Sequence, residues 1–247
     1  MNIKAIILAA GEGKRLGKAK GNQPKCLVKL GGKSLLQHQL SALQHTGINR
    51  IVIVVGYRQQ QVMEHAREFS LDFKFLTNSR YSETNTAYSL WLTKKEMDDS
   101  FLYLNADVLF HPDVLHRLIK APHGNAMAIV KGNCGVEEVK VVCKNHIIQR
   151  IGKNLDKSAC YGEFIGIAKF SKEVIPSFKE KLDEVIQNDR LENEYFEAAV
   201  DRMLIAGVEI EAVDVGDLPC IEIDFPEDLE RARREIYPQI MQSMRVK

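Results

Sequence analysis

An α/β fold built on a mostly parallel, mixed sheet is the architecture that this 247-residue chain predicts. Three observations carry the prediction. Short, wholly apolar runs end in small or acidic residues, segments of helical period lie between them, and a hairpin pattern interrupts the alternation midway.

Ile3 to Leu8 reads as a buried parallel strand entering the glycine-containing turn Ala9-Ala10-Gly11. A long basic loop follows. Ser34-Leu35-Leu36-Gln37 has the spacing of a capping box, and Leu36, Leu40 and Leu43 then share one helical face until Gly47. Ile51 to Val55 is a second buried strand, about Gln59 to Phe69 a helix, Phe73 to Leu76 a strand and Thr86 to Met97 another helix. Phe101 to Leu104 forms the next strand, ending at Asn105-Ala106-Asp107. Val139 to Cys143, Lys144-Asn145-His146 and Ile147 to Ile151 read as a hairpin, with Phe164 to Phe170 a further strand. Helices over about Lys172 to Asn188 and Tyr195 to Ala206 precede strands near Ile210 to Val213 and Ile221 to Ile223. Pro226 then opens a last helix with Glu227 and Asp228 in its first turn. With no repeat and no linker, the chain reads as one domain, and strand C-terminal ends are where ligands are expected.

Composition narrows the function. At 45% hydrophobic and 27% charged, disorder and fibre are excluded. No apolar run reaches the roughly 18 to 20 residues of a membrane span, and Met1-Asn2-Ile3-Lys4 lacks the pattern of a secretory signal, so the expected address is cytoplasmic. Five widely spaced cysteines without a Cys-x-x-Cys pair predict reduced thiols rather than a disulfide framework or a zinc site. The net charge of +1 hides an asymmetry: Gly13 to Met63 holds nine basic residues and no acid, so the remainder carries −8. A compact anion such as a nucleoside triphosphate suits that basic segment better than a nucleic acid suits the whole, although a solvated basic face has the same signature.

Leu8-Ala9-Ala10-Gly11-Glu12-Gly13-Lys14-Arg15-Leu16 places small residues where the first strand ends, so main-chain amides can approach an anion. It is not a dinucleotide fingerprint, because the third glycine position is Leu16. Nor is Gly32-Lys33-Ser34 a Walker A loop, since its first glycine would fall at Leu27.

The run Leu-Ala-Ala-Gly-x-Gly-x-Arg-Leu, then Pro24-Lys25 and Leu27-Val28-x-Leu30-Gly31-Gly32-Lys33, resembles the nucleotidyltransferases of the sugar-phosphate and cytidylyltransferase superfamily. The likeness extends to Asn105-Ala106-Asp107, at the place of that family's metal aspartate, and to Ile221 to Leu229, similar to its C-terminal metal segment. It implies a Rossmann-like three-layer αβα fold, with a nucleotide-binding part over about 1–110 and an acceptor-binding part over about 111–225. It also implies a reaction in which an acceptor phosphate attacks the α-phosphorus of a nucleoside triphosphate and pyrophosphate leaves.

Such a reaction needs positive charge and alignment more than proton transfer. By the resemblance, Arg15 grips the outer phosphates, Lys25 the α-phosphate, and Asp107 and Asp224 hold Mg2+. Leu8, Ala9, Ala10, Gly11, Glu12, Gly13 and Ala106 belong to the nucleotide site. One departure stands out: the family's usual Pro-Leu-Thr is replaced by Gly17-Lys18-Ala19-Lys20-Gly21.

Tyr81 to Trp91 is similar to the Asn-x-x-Tyr-Ser-Leu stretch of phosphocholine cytidylyltransferases, which makes Asn85 a base or acceptor contact as well as a suitable helix cap. Ile151-Gly152-Lys153, Gly162 to Ile167 and Glu192 to Glu197 resemble segments of cytidylyltransferases acting on phosphocholine, aminoethylphosphonate or inositol phosphate. They make Lys153 a ligand for the acceptor phosphate, and Glu163, Glu194 and Tyr195 partners for a cationic amine. The implied substrates are CTP and a small phosphorylated amine or phosphonate, with no nucleic acid and no membrane insertion. A sugar-1-phosphate nucleotidylyltransferase and a noncatalytic nucleotide-binding module stay open as alternatives, as does a homodimeric state.

Overall fold

The computed structural model describes residues 3–245; Met1 and Asn2, which enter the reading of the amino terminus, lie outside them. In chain order the elements are β1 (Lys4–Ala9), β2 (Lys29–Leu30), β3 (Lys33–Ser34), α1 (Leu35–His45), β4 (Arg50–Val55), α2 (Gln59–Ala66), β5 (Asp72–Thr77), α3 (Thr86–Trp91), β6 (Phe101–Asn105), β7 (Val108–Phe110), α4 (Asp113–Lys120), β8 (Ala126–Lys131), β9 (Lys140–Lys144), β10 (Ile147–Gly152), β11 (Gly162–Phe170), α5 (Ile175–Asp183), α6 (Glu197–Ile205), β12 (Glu211–Asp214), β13 (Cys220–Glu222), α7 (Pro226–Arg231) and α8 (Tyr237–Arg245).

Nine strands form one mixed sheet in the order β5-β4-β1-β6-β11-β8-β12-β10-β9. The first four pair in parallel, whereas β11 runs antiparallel to both β6 and β8. Strand alternation then makes three layers. On β1, Ile6 and Leu8 face a core closed by α3, α5 and α6, while Ala5, Ile7 and Ala9 face one closed by α1, α2 and α4. A smaller third core joins Leu16, Val28 and Leu30 to Ile223, Leu229 and Ile236, fastening the carboxyl-terminal helices under the basic loop.

Local signals decide several elements. Ser34 and Gln37 form the expected capping box of α1, with Ser34 Oγ accepting from Gln37 N at 3.1 Å. The β9–β10 hairpin turns on Asn145 and His146, both at positive φ. Other boundaries shift. The helix expected over Thr86 to Met97 ends at Trp91, and Thr93 Oγ1 bonds back to the Leu90 carbonyl before a short turn at Lys94–Glu96. The segment Lys172 to Asn188 is helical but not uniform, with tight turns before α5 and a wide one over Glu184–Asn188. Neither α4 nor β8 was marked by the sequence patterns.

One expectation fails outright. The thiols are not all reduced: Cys134 and Cys160 form a disulfide, leaving Cys26, Cys143 and Cys220 free. Pairing of Lys131 with Gly162 brings the loop after β8 beside the loop before β11, an adjacency invisible to cysteine spacing. No described helix is long and apolar enough to cross a membrane.

Candidate active site

β1 ends where the parallel strands point their carboxyl ends, and the chain then turns through Ala10 to Gly13. The Ala10 carbonyl accepts from Tyr57 N at 2.9 Å and the Leu8 carbonyl from Ala106 N at 3.2 Å, tying the loop to its neighbours. Gly13 sits at φ +70°, and a Cβ there would lie 2.6 Å from Lys25 Cβ, so glycine is what lets the lysine stem pass. The loop borders a cleft of about 390 Å³, within the size range of small-ligand sites.

At the cleft floor, Lys25 is 9% exposed and donates to Asp107 Oδ2 at 2.7 Å and to Asp224 Oδ1. Arg15 reaches Asp224 Oδ2 at 2.9 Å and lies 5.1 Å from the Phe225 ring centre. Burial opposes the charge on Lys25, but Asp107 and Asp224 outweigh it and hold its pKa above that of an ordinary lysine. Burial likewise pushes the Asp224 carboxyl up, and Lys25 followed by Arg15 brings it below the usual value. Glu222 joins these acids: Asp107, Glu222 and Asp224 each offer an oxygen within 4.8 Å of the others. Burial, then repulsion from Asp107 and Asp224, drives the Glu222 pKa far up.

Backbone pairing explains how residues so distant in sequence meet. β13 runs antiparallel to β7 with Glu222 opposite Val108, and Ile223 N donates to the Asp107 carbonyl at 3.1 Å. Buried Gln39 donates to the carbonyls of Asn105 and Val108 on either side of Asp107, at 2.8 and 2.9 Å. Asp228, at the start of α7, accepts from Asp224 N at 3.0 Å and Phe225 N at 2.7 Å. The three carboxylates suit a hard divalent cation such as Mg2+, and Asp107 Oδ1 is buried without a hydrogen bond, as a ligand oxygen would be.

The other end of the cleft is assembled from β10, β11 and the start of α6. Lys153 Nζ stands 4.3 Å from the Tyr195 ring centre, and Phe164 and Val139 supply apolar wall. Glu197 lines the same end at 5% exposure, and its Oε2 has no hydrogen-bond partner among the described residues. Burial pushes its pKa up to about 7, against a downward pull from Lys153.

Thus Leu8, Ala9, Ala10, Gly11, Glu12, Gly13, Arg15, Lys25, Asn85, Ala106, Asp107, Lys153, Tyr195 and Asp224 come together around one cleft. Asn85 caps α3 as well, accepting from Thr86 N at 2.9 Å. Two residues expected at the acceptor do not line the cleft. Glu163 is on the face of β11 opposite Phe164, with Glu138, Arg231, Asp228 and Asp224 as its charged surroundings and no part in the cleft lining, and Glu194 is exposed outside that lining. Residues missed by the sequence reading are Glu222, Glu197 and Asn78. Glu222 was recoverable, because its spacing of two from Asp224 places both on one side of an extended segment. Glu197 had only a faint signal, an acid in the first turn of a helix whose next residues are apolar.

Residues 5–166 match the MobA-like NTP transferase domain. The CTP:phosphoglutamine cytidylyltransferase of Campylobacter jejuni is 30% identical over 92% of this chain and 98% of its own length. Among solved structures, the inositol-1-phosphate CTP transferase of T. maritima superposes with a TM-score of 0.81 at 23% identity, over 97% of this chain and 95% of its own. The CTP:phosphocholine cytidylyltransferase of Streptococcus pneumoniae gives a TM-score of 0.78 at 24% identity, over 94% and 98%. These last two likenesses concern the fold, a Rossmann-like αβα arrangement.

Proposed function

The chain belongs to the MobA-like NTP transferase family and is a nucleotidyltransferase, and from that premise we propose that it transfers CMP from CTP to a small phosphorylated amine or phosphonate. The observation that carries the acceptor class is the buried carboxyl of Glu197, whose Oε2 has no hydrogen-bond partner among the described residues, in the same cleft as Lys25 and Arg15. A buried carboxylate oxygen without a hydrogen bond is costly, and a cationic amine is the group that would satisfy it in its charged form. The choice of CTP is supported by the relative named for CTP and phosphoglutamine.

In this reading an oxygen of the acceptor phosphate or phosphonate attacks the α-phosphorus of CTP. The bond from that phosphorus to the bridging oxygen breaks, and pyrophosphate leaves with the electron pair. The attacking oxygen is already ionised, so no general base is required. Lys25 draws charge from the α-phosphate, Arg15 holds the outer phosphates, and the loop from Leu8 to Gly13 with Ala106 and Asn85 orients the nucleotide. Asp107, Glu222 and Asp224 would hold a magnesium ion, which neutralises charge developing on the phosphates. Lys153 receives the acceptor phosphate, and Glu197 with Tyr195 receives its ammonium end. The part over about 1–110 therefore serves the nucleotide and that over about 111–225 mainly the acceptor.

Pyrophosphate release measured across four nucleoside triphosphates and a panel of phosphorylated acceptors, with and without chelator, tests the reading. Turnover with CTP and phosphocholine, 2-aminoethylphosphonate or another amino-phospho acceptor, abolished by chelator, is expected. Strong turnover of glucose-1-phosphate with UTP or TTP, and none with amino-phospho acceptors, would overturn it.

A further inference from the structure

The two ends of the cleft are stitched together at a seam away from the charged floor. On one side is the loop from Arg80 to Thr86, whose Ser82, Thr84, Asn85 and Thr86 line the cleft. On the other is the segment from Glu192 to Glu197, whose Tyr195 and Glu197 line it. Arg80 closes the seam with a two-pronged ion pair, Nη1 to Glu192 Oε1 at 2.8 Å and Nη2 to Oε2 at 2.6 Å. Main-chain bonds continue it: Asn85 N to the Glu192 carbonyl at 3.0 Å, Ala87 N to the Glu194 carbonyl at 3.1 Å, and Phe196 N to Thr86 Oγ1 at 2.9 Å.

The arginine is aimed by its own turn. Asn78, 1% exposed, accepts from Arg80 N at 2.9 Å and donates to Thr84 Oγ1 and Ser89 Oγ, both at 3.0 Å. Thr84 Oγ1 donates in turn to the Arg80 carbonyl at 2.8 Å, and the guanidinium lies 5.4 Å from the Tyr88 ring centre. An isolated exposed ion pair contributes little. This one has fork geometry, an oriented donor and three further bonds in the same seam, so the two segments have few ways to order separately.

We infer that the Arg80–Glu192 pair is a clasp coupling the nucleotide end of the cleft to the acceptor end, so that a ligand ordering one end orders the other. Arg80 and Glu192 are positioning residues; they act through Asn85 and Thr86 on one side and Tyr195 and Glu197 on the other. The coupling is reciprocal, as linkage requires. The inference rests on the proposed reading for which substrate occupies which end.

Hydrogen exchange followed by mass spectrometry, on the full chain, tests the clasp. Without ligand, Arg80→Met is expected to speed exchange of the amides of 192–196 by roughly 10-fold, and Glu192→Gln to speed those of 82–87 similarly. CTP with magnesium is expected to slow exchange at 8–13 and at 192–197 in the parent protein, but only at 8–13 in Arg80→Met. In turnover, Arg80→Met is expected to raise the acceptor KM about 5-fold while kcat changes less than about 2-fold, and Arg80→Lys, which keeps the charge without the fork, to recover part of the loss. Unchanged ligand-free exchange at 192–196 in Arg80→Met and Arg80→Lys would overturn the clasp, as would CTP slowing that persists there in Arg80→Met. Absence of CTP slowing at 8–13 in the parent counts instead against the nucleotide assignment, and the ligand-free exchange still decides the clasp.

Discussion

The two ends of the cleft are built on opposite electrostatic plans. At the phosphate end the two cations are held by close carboxylates: Lys25 spans Asp107 and Asp224, and Arg15 shares Asp224. At the acceptor end, Lys153 rests on the Tyr195 ring, and Glu197 Oε2 is buried with no hydrogen-bond partner among the described residues. Paired charges hold their geometry and are suited to stabilising a transition state that forms in one place. A buried carboxyl without a partner costs stability and is suited to discriminating what enters. On the proposed reading, the first end would govern rate and the second choice.

The sharpest way to break that division is at Lys25. Lys25→Ala is expected to lower kcat for pyrophosphate release by about 10² or more, because on the proposed reading the cation beside the α-phosphate is gone, Asp107 loses its ion-pair partner and Asp224 keeps only Arg15. Near-normal turnover in the purified variant would remove Lys25 from the chemistry. Gly13→Ala should fall next, by roughly 10-fold in kcat, since a methyl at φ +70° forces the Lys25 stem to shift. A variant that keeps full turnover would mean that the loop yields more readily than its packing indicates.

At the other end the effect moves to KM. Glu197→Gln is expected to raise the acceptor KM about 10-fold with little change in the KM for CTP, as loss of one buried charge partner predicts. Parallel changes in both constants would place Glu197 outside the acceptor's reach.

The same group should respond to pH. Its pKa is raised to about 7 by burial, so free protein increasingly loses the proton as pH passes that value, and only the ionised form attracts an ammonium. Between pH 6 and 8 the acceptor KM should therefore fall with rising pH, a trend that Glu197→Gln should flatten. Stability should move the opposite way. A carboxyl whose folded pKa lies above its unfolded one favours the folded state when protonated, and that advantage is lost as pH rises from the ordinary value of 4.5 through about 7, with little further change above. Thermal unfolding should show the parent losing ground to Glu197→Gln over that range, with Lys153 and Glu194 as the nearby charges moderating the slope. The smallest change is expected from Glu194→Gln, less than about 2-fold in the acceptor KM, because an exposed side chain outside the cleft has little hold on the ligand. A larger effect would return Glu194 to the site and weaken the case for Glu197.

The sequence by itself determined the features that depend on neighbours along the chain. Apolar runs and helical period located the parallel strands β1, β4 and β6 and the helix α1, and the small residues and basic side chains from Leu8 to Lys25 marked the loop proposed to hold phosphates, because the residues that make a turn and a glycine approach are contiguous. Asn145 and His146 were legible as a hairpin turn for the same reason. Tertiary structure alone decided what met across the fold. Lys25 and Asp224 are 199 positions apart, and only the pairing of β13 with β7 brings Glu222 and Asp224 to Asp107. Strand register turned Glu163 away from the cleft, helix packing carried Glu197 into it, and the adjacency of two loops joined Cys134 to Cys160. Periodicity records which way a side chain faces relative to its own element; register and packing between distant elements decide what it faces.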